Sequence, residues 1–201
     1  MGYHRAGFEV VGVDIEPHKG YPFEFHEADA LAFPLDEFDA IHASPPCQAY
    51  SLMTRNKGTA HTFPDLVAPV RERLEVAGVP YVIENVIGAP LLNAILLCGS
   101  SFGLGTSEMQ LRRHRLFECN FAVMAPPCAH DGRLSIGVYG NGTNSWHRER
   151  LGRNVTVDEM REAMGIDWMV RSDLNQAIPP AYTEHIGHYL MAHLNAMERA
   201  A

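Results

Sequence analysis

Short apolar runs set apart by polar stretches shape the first half of the chain. Phe8–Ile15 (Phe-Glu-Val-Val-Gly-Val-Asp-Ile) has the β-branched content of a buried strand and carries an acid, Asp14, near its end. A second short element ends near Ala28-Asp29, and Phe38–Ala43 reads as a third. From 64 to 77 the apolar residues Leu66, Val67, Val70, Leu74 and Val76 have the spacing of an amphipathic helix, closed by Gly78. Val79–Ile83 is a further strand, leading into Glu84-Asn85-Val86. This alternation predicts an α/β protein with a parallel sheet covered on both faces.

The second half is less regular. Leu91–Leu97 is an apolar run, Gly99–Gly105 a glycine-rich turn, and 120–153 a loop-dominated excursion with one short strand at Leu134–Tyr139. Thr156 and Glu159 have the spacing of a capping box, for a helix running to about Met164 before Gly165. Pro179-Pro180 opens a last helix with Ile186, Tyr189, Leu190, His193 and Leu194 on one stripe. Met1–Gly7 resembles the last turn and C-cap of a helix. Residues 1–119 are expected to form the main domain, 120–154 an excursion, and 155–201 a return to that domain.

Charge changes the picture because it is uneven. The net charge of −8 divides into −8 over 1–108, +4 over 109–153 and −4 over 154–201. Every basic residue of the middle stretch is an arginine: Arg112, Arg113, Arg115, Arg133, Arg148, Arg150 and Arg153. Arginine suits phosphate because its planar fork can donate two hydrogen bonds to one group, although a solvated basic surface gives the same pattern. No stretch approaches the roughly 20 apolar residues of a membrane span, and no signal pattern opens the chain, so a cytoplasmic protein is expected. Cys47, Cys98, Cys119 and Cys128 are scattered, which favours reduced thiols. Cys119, Cys128, His130 and His147 offer a Cys-x-His spacing for zinc, but without a Cys-x-x-Cys pair no metal is assigned.

Cys47 follows Ser44-Pro45-Pro46 at the end of the third strand. Two prolines force the chain out of the sheet, which presents the cysteine at a strand's carboxyl end, where open α/β sheets place their chemistry. A packed thiol in a turn is the competing reading. Glu84 ends the next predicted strand, so thiol and carboxyl open onto the same edge, as a nucleophile and a general acid require. A structural Glu-Asn turn is the alternative for Glu84.

Pro46-Cys47-Gln48, Glu84-Asn85-Val86, Gln110 with Arg113-His114-Arg115, and Leu174–Pro180 stand in the order seen in DNA cytosine-5 methyltransferases. Val13-Asp14-Ile15-Glu16, Ala28-Asp29-Ala30 and Val157–Gly165 are similar to that family's second, third and ninth motifs, so the resemblance covers nearly the whole chain. It implies a doubly wound, mostly parallel, Rossmann-like sheet that binds S-adenosylmethionine. Cys47 would attack C6 of a cytosine flipped out of duplex DNA, Glu84 would hold or protonate N3, and Arg115 with Arg113 would contact the base. Asp14, Ile15, Asp29, Ala30, Pro46, Gln176 and Ile178 would line the cofactor site. Gln48, Ser51, Arg112, Arg148, Arg150 and Arg153 would contact DNA, with Tyr139 and Trp146 as either stacking or packing aromatics. No protein partner is expected.

The chain departs from the family in four places. It has no Phe-x-Gly-x-Gly strand and loop, and only 120–154 fill the place of a large target-recognition domain. Gln110–Arg115 has one residue more than Gln-x-Arg-x-Arg, and Asn175-Gln176 replaces a Gly-Asn pair. The alternative is therefore a truncated DNA- or cofactor-binding relative with weak or no turnover.

Overall fold

The structure, a computed structural model, describes residues 1–139 and 145–200. The elements are α1 (Gly2–Arg5), β1 (Val11–Asp14), β2 (Glu24–Glu27), β3 (Ile41–Ala43), α2 (Leu52–Asn56), α3 (Val67–Ala77), β4 (Tyr81–Asn85) and β5 (Ile95–Leu97). They continue with β6 (Met109–Leu111), β7 (Arg115–Cys119), β8 (Leu134–Ile136), α4 (Ser145–Leu151), α5 (Val157–Met164), α6 (Arg171–Gln176) and α7 (Pro180–Glu198), with 3-10 turns at Ala60–Thr62 and Gly99–Phe102. The protein is mixed α/β, with small parallel and mixed sheets. β1 and β2 form a parallel pair, β6 and β8 another, and the four-stranded sheet has the order β3-β4-β7-β5. In that sheet β3 runs parallel to β4, while β7 runs antiparallel to it, a reversal that the alternation of elements does not foretell.

The chain divides into two compact units. The first comprises Met1–Val10, Leu97–Arg113 and Pro126–His188, and the second Val11–Leu96, His114–Ala125 and Tyr189–Ala201. In the second unit, α3 places Val70 and Leu74 against Ile41, Ala43, Tyr81 and Ile83. Complete burial of a side chain such as Ile83 contributes roughly 1.5–3 kcal/mol. Gly78 ends α3 at φ 72, a left-handed conformation that glycine adopts without steric cost, and its N–H bonds to the Leu74 carbonyl.

The first unit has its own core. Met109, Leu111 and Ile136 of the parallel pair pack with Met160, Ala163 and Met164, which fall on one face of α5, and with Leu174 of α6. The expected capping box is formed in full. Thr156 Oγ1 accepts from Glu159 N at 3.2 Å, and Glu159 Oε2 accepts from Thr156 N at 2.8 Å.

Several boundaries move. β1 starts at Val11, not Phe8, because Phe8 N–H bonds to the Tyr3 carbonyl in the turn that closes α1. β4 runs two residues past Ile83, because pairing with β7 extends through Glu84 and Asn85. The strand expected over Leu134–Tyr139 stops at Ile136, and α4 forms in the excursion, where Arg148-Glu149-Arg150-Leu151 are good helix formers. The side chains of Trp146 and His147, named above for stacking and zinc, lie outside the described residues.

Candidate active site

Side chains alternate between the two faces of a strand, so the register of β3, β4 and β7 sorts the central residues. His42, Val82, Glu84, Phe117 and Arg115 share one face, and Tyr81, Ile83 and Glu118 share the other, the one covered by α3. Glu84 is 7% exposed, and Arg115 Nε lies 3.0 Å from its Oε1. Arg115 Nη1 donates to the His114 carbonyl at 3.0 Å, which fixes the guanidinium at the start of β7. Burial pushes the His42 imidazole down to about 4, so at neutral pH this ring on Glu84's face carries no charge.

Cys47 lies on the segment by which the chain leaves β3. β3 stops at Ala43, and Asn85 Nδ2 donates to the carbonyl of buried Pro45 at 2.9 Å. The end of β4 thus holds the segment that carries Pro46 and Cys47. The Cys47 carbonyl accepts from Tyr50 N and Ser51 N at 3.0 Å each, turning the chain into α2. The half-buried Cys47 lies on a short loop braced before and after it. Asn85, visible in the sequence only as part of Glu84-Asn85-Val86, is the residue that joins the two strand ends.

Asp14 ends β1 and Asp29 lies just past β2, so a parallel pair brings both acids to one edge. The Ala28 N–H bonds to the Asp14 carbonyl at 2.9 Å and closes that edge. Asp14 Oδ1 accepts from Glu16 N at 2.9 Å, and its Oδ2 lies 3.3 Å from His18 Nε2. Asp29 Oδ1 accepts from Leu31 N at 2.8 Å. Ile15, Asp29 and Ala30 are exposed. Of the remaining cofactor candidates, Pro46 is exposed in the second unit, whereas Gln176 at the end of α6 and Ile178 beyond it belong to the first unit, as does Arg113.

Arg113 and Arg115 are engaged differently. Arg113 has a positive φ of 31, and its guanidinium donates to the carbonyls of Ala177, Asn175 and Val138, all in the first unit. The Tyr182 hydroxyl donates to the Arg113 carbonyl at 2.9 Å. These bonds make Arg113 a brace of that unit.

The DNA-contact candidates vary in how open they are. Gln48 is exposed, and its carbonyl accepts from Thr54 Oγ1 at 2.5 Å. Ser51 caps α2, its Oγ accepting from Thr54 N at 3.2 Å. Arg112 is half-buried, and its Nε is buried with no hydrogen-bond partner among the described residues. Arg148 and Arg150 are exposed on α4, Arg148 donating to Asn154 Oδ1 at 3.3 Å. Arg153 pairs with Glu159 at 2.7 Å, an interaction that helps hold the Glu159 carboxyl at about 2. Tyr139 is exposed.

The zinc grouping read from the sequence is changed. Cys119 is part of β7 in the second unit, its thiol pushed up to about 12 by burial, whereas Cys128 and His130 belong to the first unit. A cavity of about 450 Å³ in the first unit, lined by Arg5, Asp158, Arg161, Glu162 and Trp168 among others, contains none of the candidate catalytic residues. No helix among the described residues is long and apolar enough to cross a membrane. The chain matches no protein-family model, and no curated protein matches it.

Proposed function

We propose that the chain is a methyltransferase dependent on S-adenosylmethionine, built on a doubly wound α/β sheet. Its substrate on this reading is cytosine in duplex DNA, methylated at C5. The observation that carries the reading is the convergence of three segments in the second unit. The loop bearing Cys47, the end of β4 with Glu84, and the start of β7 with Arg115 are held together by the Asn85–Pro45 bond and the Glu84–Arg115 ion pair.

The residues present fit the adenosine half of the cofactor. Asp14 and Asp29 put two carboxylate acceptors on one strand edge, and Ile15, 68% exposed, adds an apolar surface beside them. On this reading Asp14 holds the ribose hydroxyls and Asp29 the adenine amino group. S-adenosylmethionine, when bound, supplies an electrophilic methyl group.

The chain's own residues do the rest. C5 of cytosine is a poor nucleophile until a soft, removable group adds at the neighbouring carbon. Cys47 thiolate adds to C6 of the extruded base, while Glu84, oriented by Arg115, engages N3 and stabilises the charge that develops on the ring. Once C5 has taken the methyl group that the cofactor would supply, with S-adenosylhomocysteine as the leaving product, loss of the C5 proton and expulsion of Cys47 as thiolate would release 5-methylcytosine. Exposed Arg148 and Arg150 hold the phosphate backbone without reading sequence.

Labelled S-adenosylmethionine and a cytosine-containing duplex test the proposal directly. The expected result is transfer to cytosine, together with a covalent complex on 5-fluorocytosine DNA that disappears in Cys47→Ser. DNA binding without transfer would replace the reading by that of a binding relative, and transfer unchanged in Cys47→Ser would overturn the mechanism.

A further inference from the structure

The first unit contains metal-ligating side chains that the proposed reaction does not use. Cys98, Cys128 and His130 each offer one ligand atom, and these atoms lie within 4.8 Å of one another. Cys98 Sγ is 3.3 Å from His130 Nε2. A tetrahedral zinc ion with ordinary bond lengths separates a sulfur and a nitrogen ligand by ~3.6 Å and two sulfurs by ~3.8 Å, so the cluster needs little movement to close on a cation.

The backbone explains the convergence. Cys98 is fully buried just after β5, whereas Cys128 and His130 are exposed on 126–133, a stretch without helix or strand. Ala129, between them, is anchored on both sides of its peptide. Its N–H donates to Ser100 Oγ at 3.1 Å, and its carbonyl accepts from Gln110 Nε2 at 2.8 Å. Ser101 Oγ donates to the Pro127 carbonyl at 2.9 Å. Pinning residue 129 in this way brings the side chains on either side of it to Cys98.

We propose that Cys98, Cys128 and His130 bind one borderline-soft divalent cation, of the zinc class, that staples the 126–133 segment to the first unit. Two thiolates and an imidazole select zinc over the hard cations magnesium and calcium, which take oxygen ligands. These three side chains take three of the four tetrahedral positions. A segment with few apolar side chains gains from such a staple what it cannot obtain from a core of its own. The proposal is independent of the methyl-transfer reading.

The test is a metal titration of the full-length, reduced, chelator-treated chain. Co²⁺ is added first as a spectroscopic probe, and Zn²⁺ then competes. Expected are one equivalent of bound Co²⁺ with sulfur-to-metal charge-transfer absorption, displacement by Zn²⁺, and protection of Cys128 from alkylation in the Zn²⁺ form. Cys128→Ser and His130→Ala change exposed positions that the core does not need, and each should weaken binding by ~10-fold or more. Cys119→Ser should leave the absorption unchanged. Absence of the charge-transfer band would overturn the proposal, as would its persistence in the Cys128→Ser/His130→Ala double variant. Recovery of Cys98 and Cys128 as a disulfide from chain purified without reductant and free of zinc would also overturn it.

Discussion

Glu84 and Glu118 are buried carboxylates on adjacent strands, each paired with an arginine, yet they lie on opposite faces of one sheet. Glu118 receives both nitrogens of a fork: Arg71 Nε and Nη2 each donate at 2.7 Å, and Leu92 N donates at 2.7 Å. Arg71 Nη2 also donates to the Pro90 carbonyl at 2.9 Å, so this pair ties α3 to β7 and to the chain ahead of β5. Burying two charges carries a large desolvation cost, and several good hydrogen bonds are what offset it. Glu84 instead pairs with an arginine at the start of β7, beside the segment that carries Cys47. The contrast teaches that burial and an arginine partner do not by themselves mark a catalytic acid. What separates the two is whether the surrounding elements are framework or the loop that carries Cys47, the proposed nucleophile.

The largest effect should come from breaking the framework pair. Arg71→Ala leaves Glu118 charged, buried and uncompensated, and urea unfolding should show a loss of about 3–5 kcal/mol. An unchanged unfolding midpoint would erase the distinction between the two carboxylates. Glu84→Gln should do the reverse. Stability should change by no more than about 1–2 kcal/mol, since the amide can still meet Arg115, while methyl transfer falls at least ~100-fold. Transfer at the wild-type rate would reduce Glu84 to a second structural carboxylate.

His42 sharpens the comparison because it shares Glu84's face. Its imidazole titrates near 4 in the folded chain, against an ordinary value of 6.5 once unfolded. The unfolded state therefore takes up the proton first. The resulting stabilisation is complete above about pH 6.5 and is lost as pH falls towards 4, with a slope of up to about 1.4 kcal/mol per pH unit. A stability profile of His42→Gln should be flatter across that window, and an identical profile would show that this face is not dry. The smallest effect is expected in the first unit, which contains neither carboxylate. Thr156→Ala removes the cap of α5 and should cost about 1 kcal/mol by thermal unfolding, with methyl transfer unaffected.

Signals carried by neighbours in the chain were readable without coordinates. Gly78 and Gly165 end helices where expected, Thr156 and Glu159 form their box, and Pro45-Pro46 terminates β3 before Cys47. The acid Asp14 could be placed at a strand end because it closes a short apolar run. α2 was not foreseen, since Ser51 as an N-cap has no apolar period behind it. Arg71 and Glu118 stand 47 residues apart, and Cys98 and His130 32 apart, with no spacing rule to link either pair.

The sequence by itself therefore determined the local elements, their caps and stops, and the residues able to do chemistry, because those depend on interactions within a few positions. Tertiary structure alone decided the antiparallel course of β7, and through register the face on which each carboxylate lies. It also decided that Asn85 holds the Cys47 loop, that Arg113 braces backbone carbonyls while Arg115 meets Glu84, and that Cys98 joins Cys128 and His130. The physical reason is that a one-residue shift in strand pairing reverses every side chain, and such pairing is settled by packing between distant segments.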